Sequence, residues 1–279
     1  MRSPYVLVIV ALAALTSSGC KLLDESEAAK SPLSKAESSP DSVALEIFFA
    51  RRGADHKGAD EDLWKQVDEQ TLPADVRRRL ADNGFRVGVV GAPWPSELTS
   101  LLKLSDKPLD EQHKDKIDVK AEPSVTKRLL QARPAQPGEL IASSLYDELP
   151  LLANENGSVG GRVYHKAQGV FTLKTFPEPN GTVRLELVPE LQYGEPRLRR
   201  IVSEGMIRME PGRDKKTFDE LTINAQLAPG QMLVLTSRPE RTGSVGHKFF
   251  SEQASEQRIQ KLIIIRLAQA GADPLFAER

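Results

Sequence analysis

Two short runs, Gly169-Val-Phe-Thr-Leu-Lys-Thr-Phe176 and Thr182-Val-Arg-Leu-Glu-Leu-Val188, decide how the second half of this chain folds. Between them stands Asn180-Gly181, a dipeptide that favours the positive backbone angles of a tight hairpin turn. In the second run the apolar residues alternate with Arg184 and Glu186, so one face of the strand is apolar and the other is polar. The pattern therefore predicts an antiparallel hairpin with one face in water.

Similar short runs, separated by turn signals, continue through the rest of this half of the chain. We predict further strands at 138–142, 159–165, 200–209, 218–227, 231–236 and 260–267. Many short strands with few helices between them indicate a mainly antiparallel, sandwich-like β domain, which we place at 138–270, with a tail at 271–279. The tetrapeptide Gly-Ser-Val-Gly occurs at 157–160 and at 243–246, and we interpret both copies as tight loops that enter strands.

Residues 42–104 predict a smaller domain with the element order β-α-α-β-α. The strands are expected at 42–50 and 85–90, paired with each other, and Asn83-Gly84 is a helix-ending signal. The predicted fold class is thus α+β, with a small α/β domain before the β domain. The segment 105–137 is rich in charges and reads as a linker, apart from a short apolar stretch at 125–130.

The N-terminus carries an apolar run that ends at the only cysteine of the protein. The run Val6-Leu-Val-Ile-Val-Ala-Leu-Ala-Ala-Leu15 is shorter than the about 20 residues that a membrane span needs, and Thr16-Ser-Ser-Gly-Cys20 follows it. Together these residues look like the signal peptide of a bacterial lipoprotein, with 1–19 removed and a lipid such as palmitate attached to Cys20. The alternative is a plain secretory signal with an incidental cysteine.

The resemblance to a lipoprotein implies a location as well as a modification. Lys21 rather than Asp follows the cysteine, which implies the periplasmic face of the outer membrane. Residues 20–41 then carry Ser, Glu, Ala, Lys and Pro with few large apolar residues, so we predict a flexible tether. The expected partners are the membrane, through the lipid, and envelope proteins.

Composition and motifs exclude several functions. The 38 basic and 39 acidic residues give a net charge of -1, which does not favour nucleic acid. A lone lipidated cysteine leaves no thiolate nucleophile, disulfide or Cys metal ligand. The sequence has no Gly-x-Ser-x-Gly elbow, Walker loop or Gly-x-Gly-x-x-Gly, and none of its four histidines has another at metal-binding spacing: His56, His113, His165 and His247. We therefore predict no catalytic, cofactor-binding or metal residues and expect no cofactor.

Two charged clusters have a functional and an ordinary interpretation. Asp60, Glu61 and Asp62 have the chemistry of a cation site, but an acidic first helical turn explains them better. The triple arginine 77–79 has the charge to meet phosphate, but a solvated helix face is the preferred interpretation.

A second resemblance covers roughly the last hundred residues. Four segments look like the closing β segments of secretins and follow in the same order: Val183-Arg-Leu-Glu-Leu-Val-Pro189-Glu190, Leu227-Ala-Pro-Gly230-Gln-Met-Leu-Val-Leu235, Gly246-His-Lys-Phe-Phe250 and Lys261-Leu-Ile-Ile-Ile265. The resemblance implies an origin in envelope assembly rather than a pore. With the tether, the chain also resembles uncharacterised envelope lipoproteins of planctomycete-type bacteria.

These observations favour a lipid-anchored cell-envelope protein with a non-enzymatic protein-binding or assembly role, related to secretion and able to oligomerise. One alternative is a small-ligand or glycan-binding module on the β domain. A further alternative is a hydrolase whose site is assembled from loops, with His165 or His247 beside a carboxylate.

Overall fold

The predicted hairpin lies at the centre of an antiparallel sheet in the computed structural model, which describes residues 42–53, 57–106, 125–203, 206–254 and 257–270. Its strands are β6 (Ser158–Pro177) and β7 (Val183–Ser203), longer than the pattern predicts. At the turn, Gly181 has a φ of 79°, and the backbone N–H of Thr182 donates to Oδ1 of Asn180 at 3.0 Å. The hairpin prediction is confirmed.

This sheet, called sheet 2 here, has six strands with the order β4-β6-β7-β8. The added strands are β4 (Gly138–Ile141), β5 (Tyr146–Glu155), β8 (Met206–Thr217) and β9 (Ile223–Leu227), of which β5 pairs with β6 and β9 pairs with β7. The first half of β6 pairs with β5, and the second half of β7 pairs with β8. Beyond the β6–β7 pairing, the sheet therefore continues as two separate hairpins.

Sheet 1 also has six strands and combines the two ends of the described chain. Its strands are β1 (Val43–Gly53), β2 (Phe85–Val90), β3 (Val125–Ala132), β10 (Met232–Ser237), β11 (Ser251–Ala254) and β12 (Gln257–Gln269). Their order is β2-β10-β12-β1-β3, with β11 paired to β12, and all these pairings are antiparallel.

The described helices are short and lie beside sheet 1. They are α1 (Lys57–Trp64), α2 (Ala74–Asp82), α3 (Ser96–Asp106) and α4 (Val245–Phe250), with 3-10 turns at Glu69–Thr71 and Asp219–Leu221. Leu63 and Trp64 of α1 and Leu98 of α3 bury one face of sheet 1. The helix predicted before Asn83-Gly84 is confirmed, because α2 ends there and Gly84 has a φ of 78°.

The opposite face of sheet 1 shares one core with sheet 2, which is compatible with the predicted sandwich. At its centre four aromatic rings meet, with centroids 5.4–6.2 Å apart: Phe85 of β2, Phe171 of β6, and Phe249 and Phe250 of α4. Phe250 is fully buried, so α4 is part of the core rather than a surface helix.

The prediction of a separate α+β domain at 42–104 is wrong. The order β-α-α-β-α is present, but β1 and β2 do not pair; β10 and β12 lie between them. Both faces of β1 are apolar, with Leu45 and Ile47 on one side and Phe48 and Ala50 on the other. A two-stranded sheet of β1 and β2 would leave these apolar faces exposed to water. Pairing with the distant β12 helps to cover them, and the entropy cost of closing the intervening loop rises only slowly with loop length.

Three finer predictions also need correction. The segment predicted as a linker, 105–137, contains β3, which pairs with β1 along eight residues; 107–124 lie outside the described residues. The strand predicted at 200–209 is the end of β7 and the start of β8. The second Gly-Ser-Val-Gly begins a helix rather than a strand, because Ser244 Oγ caps α4 by accepting from the His247 N–H at 3.3 Å. The secretin-like segment Gly246–Phe250 is therefore helical as well.

The predicted signal peptide, Cys20 and the tether (1–41), with the tail at 271–279, lie outside the described residues. Within the described part, none of the helices has the length and hydropathy of a membrane span.

Candidate functional site

A cleft of about 330 Å³ lies between the two sheets, where β3 and β4 form neighbouring edges. We call it the edge cleft. Its apolar wall consists of Phe49 of β1, Ile263 of β12, and Ile141 and Ala142 at the end of β4; Ala50 also lines the cleft, but its side chain is buried on the other face of β1. Hydroxyl and cationic side chains complete the lining: Thr126, Ser143, Ser144, Arg51, Arg128 and Lys261.

The three cations of the edge cleft follow from strand periodicity. Side chains alternate along a strand, so the face of β1 that buries Leu45 and Ile47 also carries Arg51. Arg51 lies directly opposite Lys261 in the β1–β12 register, and Arg128 lies opposite Ile47 in the β1–β3 register. All three cations are therefore on the face of sheet 1 that points towards sheet 2.

Two cations directly opposite each other in an antiparallel pair repel. Glu252 of β11 partly compensates Arg51 and Lys261: its Oε2 lies 3.4 Å from Arg51 Nη2 and 2.9 Å from Lys261 Nζ. Ser144 Oγ donates to the other carboxylate oxygen of Glu252 at 2.6 Å. One carboxylate thus serves two cations at the wall of the cleft.

The ionisation of Glu252 determines the charge of this wall at neutral pH. Burial raises the pKa of Glu252, but hydrogen bonds from Ser144 and Lys261 and the charges of Lys261 and Arg51 outweigh burial and hold the pKa below its ordinary value of 4.5. The carboxylate is therefore charged at pH 7 and holds Lys261 in place.

Arg128 is the cation of the cleft that is most available to a ligand. It is exposed, and its guanidinium carbon lies 5.4 Å from the centroid of the Phe49 ring. Among the described residues, no carboxylate forms an ion pair with it. Its neighbour Lys127 points to the other face of β3, where its Nζ pairs with Glu46 at 3.0 Å. The two adjacent cations on one strand thus have different surroundings.

The outer edge of β3 is a second feature of this region. β3 pairs with β1 on one side, and no other strand in the described part of the chain pairs with its opposite side. Leu129 is 64 % exposed, and Thr126, Lys127 and Arg128 are exposed as well. The unpaired N–H and C=O groups of such an edge are available to a strand from another molecule.

The histidines do not assemble a catalytic site among the described residues. His165 is exposed on β6 opposite Glu148, but no ion pair joins them. His247 is half-buried in α4, and neither histidine lines the edge cleft. His56 and His113 lie outside the described residues. Within the described chain, no group of three or more His, Cys, Asp and Glu residues is arranged to hold a metal ion.

The charged clusters singled out from the sequence have local partners. Lys65 Nζ lies 2.7 Å from Asp62 Oδ1. Arg79 of α2 pairs with Asp75 at 3.0 Å, one helical turn away, and its Nε donates to the Glu220 carbonyl at 3.0 Å. These contacts agree with the interpretation as helix surface.

A second cleft, of about 470 Å³, lies along the β5–β6 hairpin and includes Tyr164 and Phe218. Both rings are buried, so they present no open face on which a sugar ring could stack. Lys216, which also lines this cleft, is paired with Glu155 at 2.7 Å. The edge cleft is therefore the better candidate site.

No protein-family model matches this chain, and no curated protein is similar to it in sequence. The resemblances to lipoproteins and secretins therefore remain predictions.

Proposed function

We propose that this protein is a non-enzymatic, lipid-anchored component of the bacterial cell envelope that binds other proteins through the outer edge of β3. The observation that carries the proposal is the outer side of this eight-residue strand, with which no strand among the described residues pairs. Strand addition at a sheet edge provides main-chain hydrogen bonds to a partner, and the side chains along the edge select that partner.

β3 is better suited to strand addition than the long edges β5 and β8. β5 contains Pro150, and its outer side is engaged where the Leu152 N–H donates to the Gly243 carbonyl at 2.9 Å and the Asn154 carbonyl accepts from Asn83 Nδ2 at 3.0 Å. β8 contains Pro211, which has no N–H, followed by Gly212, and both interrupt a regular ladder. β3 contains neither residue type. The edge at β2 is already occupied, because Asp68 and Val89 exchange two backbone hydrogen bonds of 2.9 Å. We therefore assign the partner to β3.

The anchor is the second part of the proposal, and it rests on the sequence alone. Cys20 becomes the N-terminal residue of the mature protein and carries the acyl chains, and 21–41 spans the distance to the folded part. The net charge of -1 favours neither a nucleic-acid surface nor a polyanion as the partner. Envelope proteins, including a second copy of this chain, are the partners proposed, at the periplasmic face of the outer membrane.

Lipid attachment is tested by metabolic labelling. We expect labelled palmitate to enter the wild-type protein and the membrane fraction to contain it, because several acyl chains give stable anchoring. Cys20→Ser should lose the label. A wild-type protein without label, with the same fractionation as Cys20→Ser, would remove the anchor from the proposal and leave the β3 edge untouched.

Binding at β3 is tested with a photoreactive amino acid at one position in cells. We expect a cross-linked adduct of defined mass with the amino acid at Leu129, but not at Val159, which is equally apolar and 67 % exposed on the β5–β6 hairpin. Equal adducts at both positions, or a solitary monomer in size-exclusion chromatography after extraction, would contradict the assignment.

Proline substitution then tests whether the backbone of β3 makes the contact. In an antiparallel ladder alternate residues direct N–H towards the partner strand or away from it, so either Lys127 or Arg128 points its N–H outward. Proline at the residue whose N–H points outward leaves the β1–β3 pairing intact, so that variant should keep the wild-type Tm. The same variant, whether Lys127→Pro or Arg128→Pro, should lose the Leu129 adduct. The alanine variant at the same position is the matched control and should retain the adduct.

A further inference from the structure

We propose that the edge cleft is a binding site for a small amphipathic carboxylate, that is, an anionic headgroup on a short apolar chain. The proposal concerns a ligand rather than a protein partner, so it does not depend on strand addition at β3.

The apolar part of the cleft fits an alkyl chain. Phe49 and Ile263 lie opposite each other in the β1–β12 register and form its floor, and Ile263 belongs to the core of the protein. Ile141 at the rim is 49 % exposed. A bound alkyl chain would cover Ile141 and remove apolar surface from water. The volume of about 330 Å³ is at the lower end of the range for small-molecule sites.

The polar part of the cleft favours an anion. Arg128 is exposed at the mouth, and Arg51 and Lys261 stand opposite each other on the wall. The face on which these cations lie is otherwise the core-facing side of sheet 1, where charged residues are unfavourable unless they have a partner. Lys261 and Arg51 pair with Glu252, whereas no described carboxylate pairs with Arg128, so a bound carboxylate would give Arg128 a counter-charge.

The hydroxyl groups of the cleft determine where the headgroup binds. Ser144 Oγ donates to Glu252, and Ser143 Oγ donates to the Ser144 carbonyl at 2.8 Å while accepting from the Gly169 N–H at 2.8 Å. Both are thus engaged within the protein. Thr126 and Arg128, two residues apart on β3, are on the same face of the strand and line the open side. We therefore place the carboxylate between Arg128 and Thr126, with the alkyl chain directed towards Ile263.

Decanoate is the probe for this site, and isothermal titration calorimetry on the full chain carrying Cys20→Ser is the measurement. This substitution prevents an attached acyl chain from competing. We expect saturable one-to-one binding with a Kd below about 1 mM. Arg128→Gln should weaken binding about tenfold or more, because it removes a charge-assisted hydrogen bond. The matched control Lys127→Gln, on the other face of the same strand, should bind decanoate as the parent does.

Two comparison ligands separate the contributions of charge and chain. Decanol retains the alkyl chain without the charge, and acetate retains the charge without the chain, so both should bind at least tenfold more weakly than decanoate. Amide chemical-shift changes on adding decanoate should be concentrated at 126–128 and 141–144. The proposal is overturned if decanoate gives no saturable binding, if decanol binds equally well, or if Arg128→Gln and Lys127→Gln behave alike with unchanged Tm.

Discussion

Gly246→Ala is expected to destabilise the protein by about 3 kcal/mol, although the same substitution in most helices is stabilising. An added Cβ would lie 2.3 Å from the carbonyl oxygen of Gly84 and 2.6 Å from the backbone nitrogen of Phe85. These are backbone atoms of another segment and cannot rotate away, so α4 would have to move. Because α4 carries Phe249 and Phe250 into the core, its displacement separates the four packed rings.

The first copy of Gly-Ser-Val-Gly provides the matched control. Gly160 holds the fourth position of that copy, as Gly246 does of the second, but a Cβ at Gly160 would have no atom within 4 Å. We therefore expect Gly160→Ala to change the unfolding free energy by no more than about 0.5 kcal/mol. Thermal denaturation followed by circular dichroism should place Gly246→Ala about 6–12 °C below the wild type. Equal Tm values for the two variants would show that the Gly84 contact does not restrict α4.

The two tetrapeptides also show how far the sequence alone predicts this fold. In both, the local pattern of Gly and Ser correctly indicates a break in regular structure. Whether a strand or a helix follows depends on what surrounds the segment: after Gly157 the chain pairs with β5, whereas after Gly243 it enters the core. Local patterns therefore predict β2, α2, the β6–β7 hairpin and β10 well, but they miss α4.

Pairing between distant strands limits the prediction of the fold and of the site. The apolar stretch of β1 is evident in the sequence, but it is compatible with several partners, and its observed partner β12 is more than 200 residues away. For the same reason the edge cleft is not predictable. The alternation along β1 places Arg51 on the face of Leu45 and Ile47, and only the register with β12 sets Lys261 opposite it. The signal that sequence reasoning overlooked is a cation on an otherwise apolar strand face.

Asn83→Ala is expected to cost about 2–4 kcal/mol, because one buried amide joins two parts of the fold. Asn83 is 2 % exposed. Its Nδ2 donates to the Asn154 carbonyl at 3.0 Å, and its Oδ1 accepts from the Asn154 N–H at 2.8 Å. The side chain thus pairs with the backbone of β5 as a neighbouring strand would. Nδ2 also donates to the Arg79 carbonyl at 3.1 Å, which ties the same amide to the last turn of α2.

In the sequence, Asn83 is visible only as part of a helix-ending signal. The variant Asn154→Ala is the matched control for the hydrogen bonds that the Asn83 amide forms with the backbone of β5. Asn154→Ala keeps the backbone N–H and C=O that Asn83 contacts, so it should leave the unfolding free energy within about 0.5 kcal/mol of the wild type. Asn83→Asp keeps the acceptor but loses the Nδ2 donor and buries a charge, so it should destabilise the protein at pH 7 as Asn83→Ala does. Part of the lost stability should return on acidification, because the carboxyl is then protonated and neutral. Chemical denaturation at pH 7 and pH 4 measures all three variants. If Asn83→Ala matched Asn154→Ala, water would replace the amide without loss, and Asn83 would not act as a cross-link between α2 and β5.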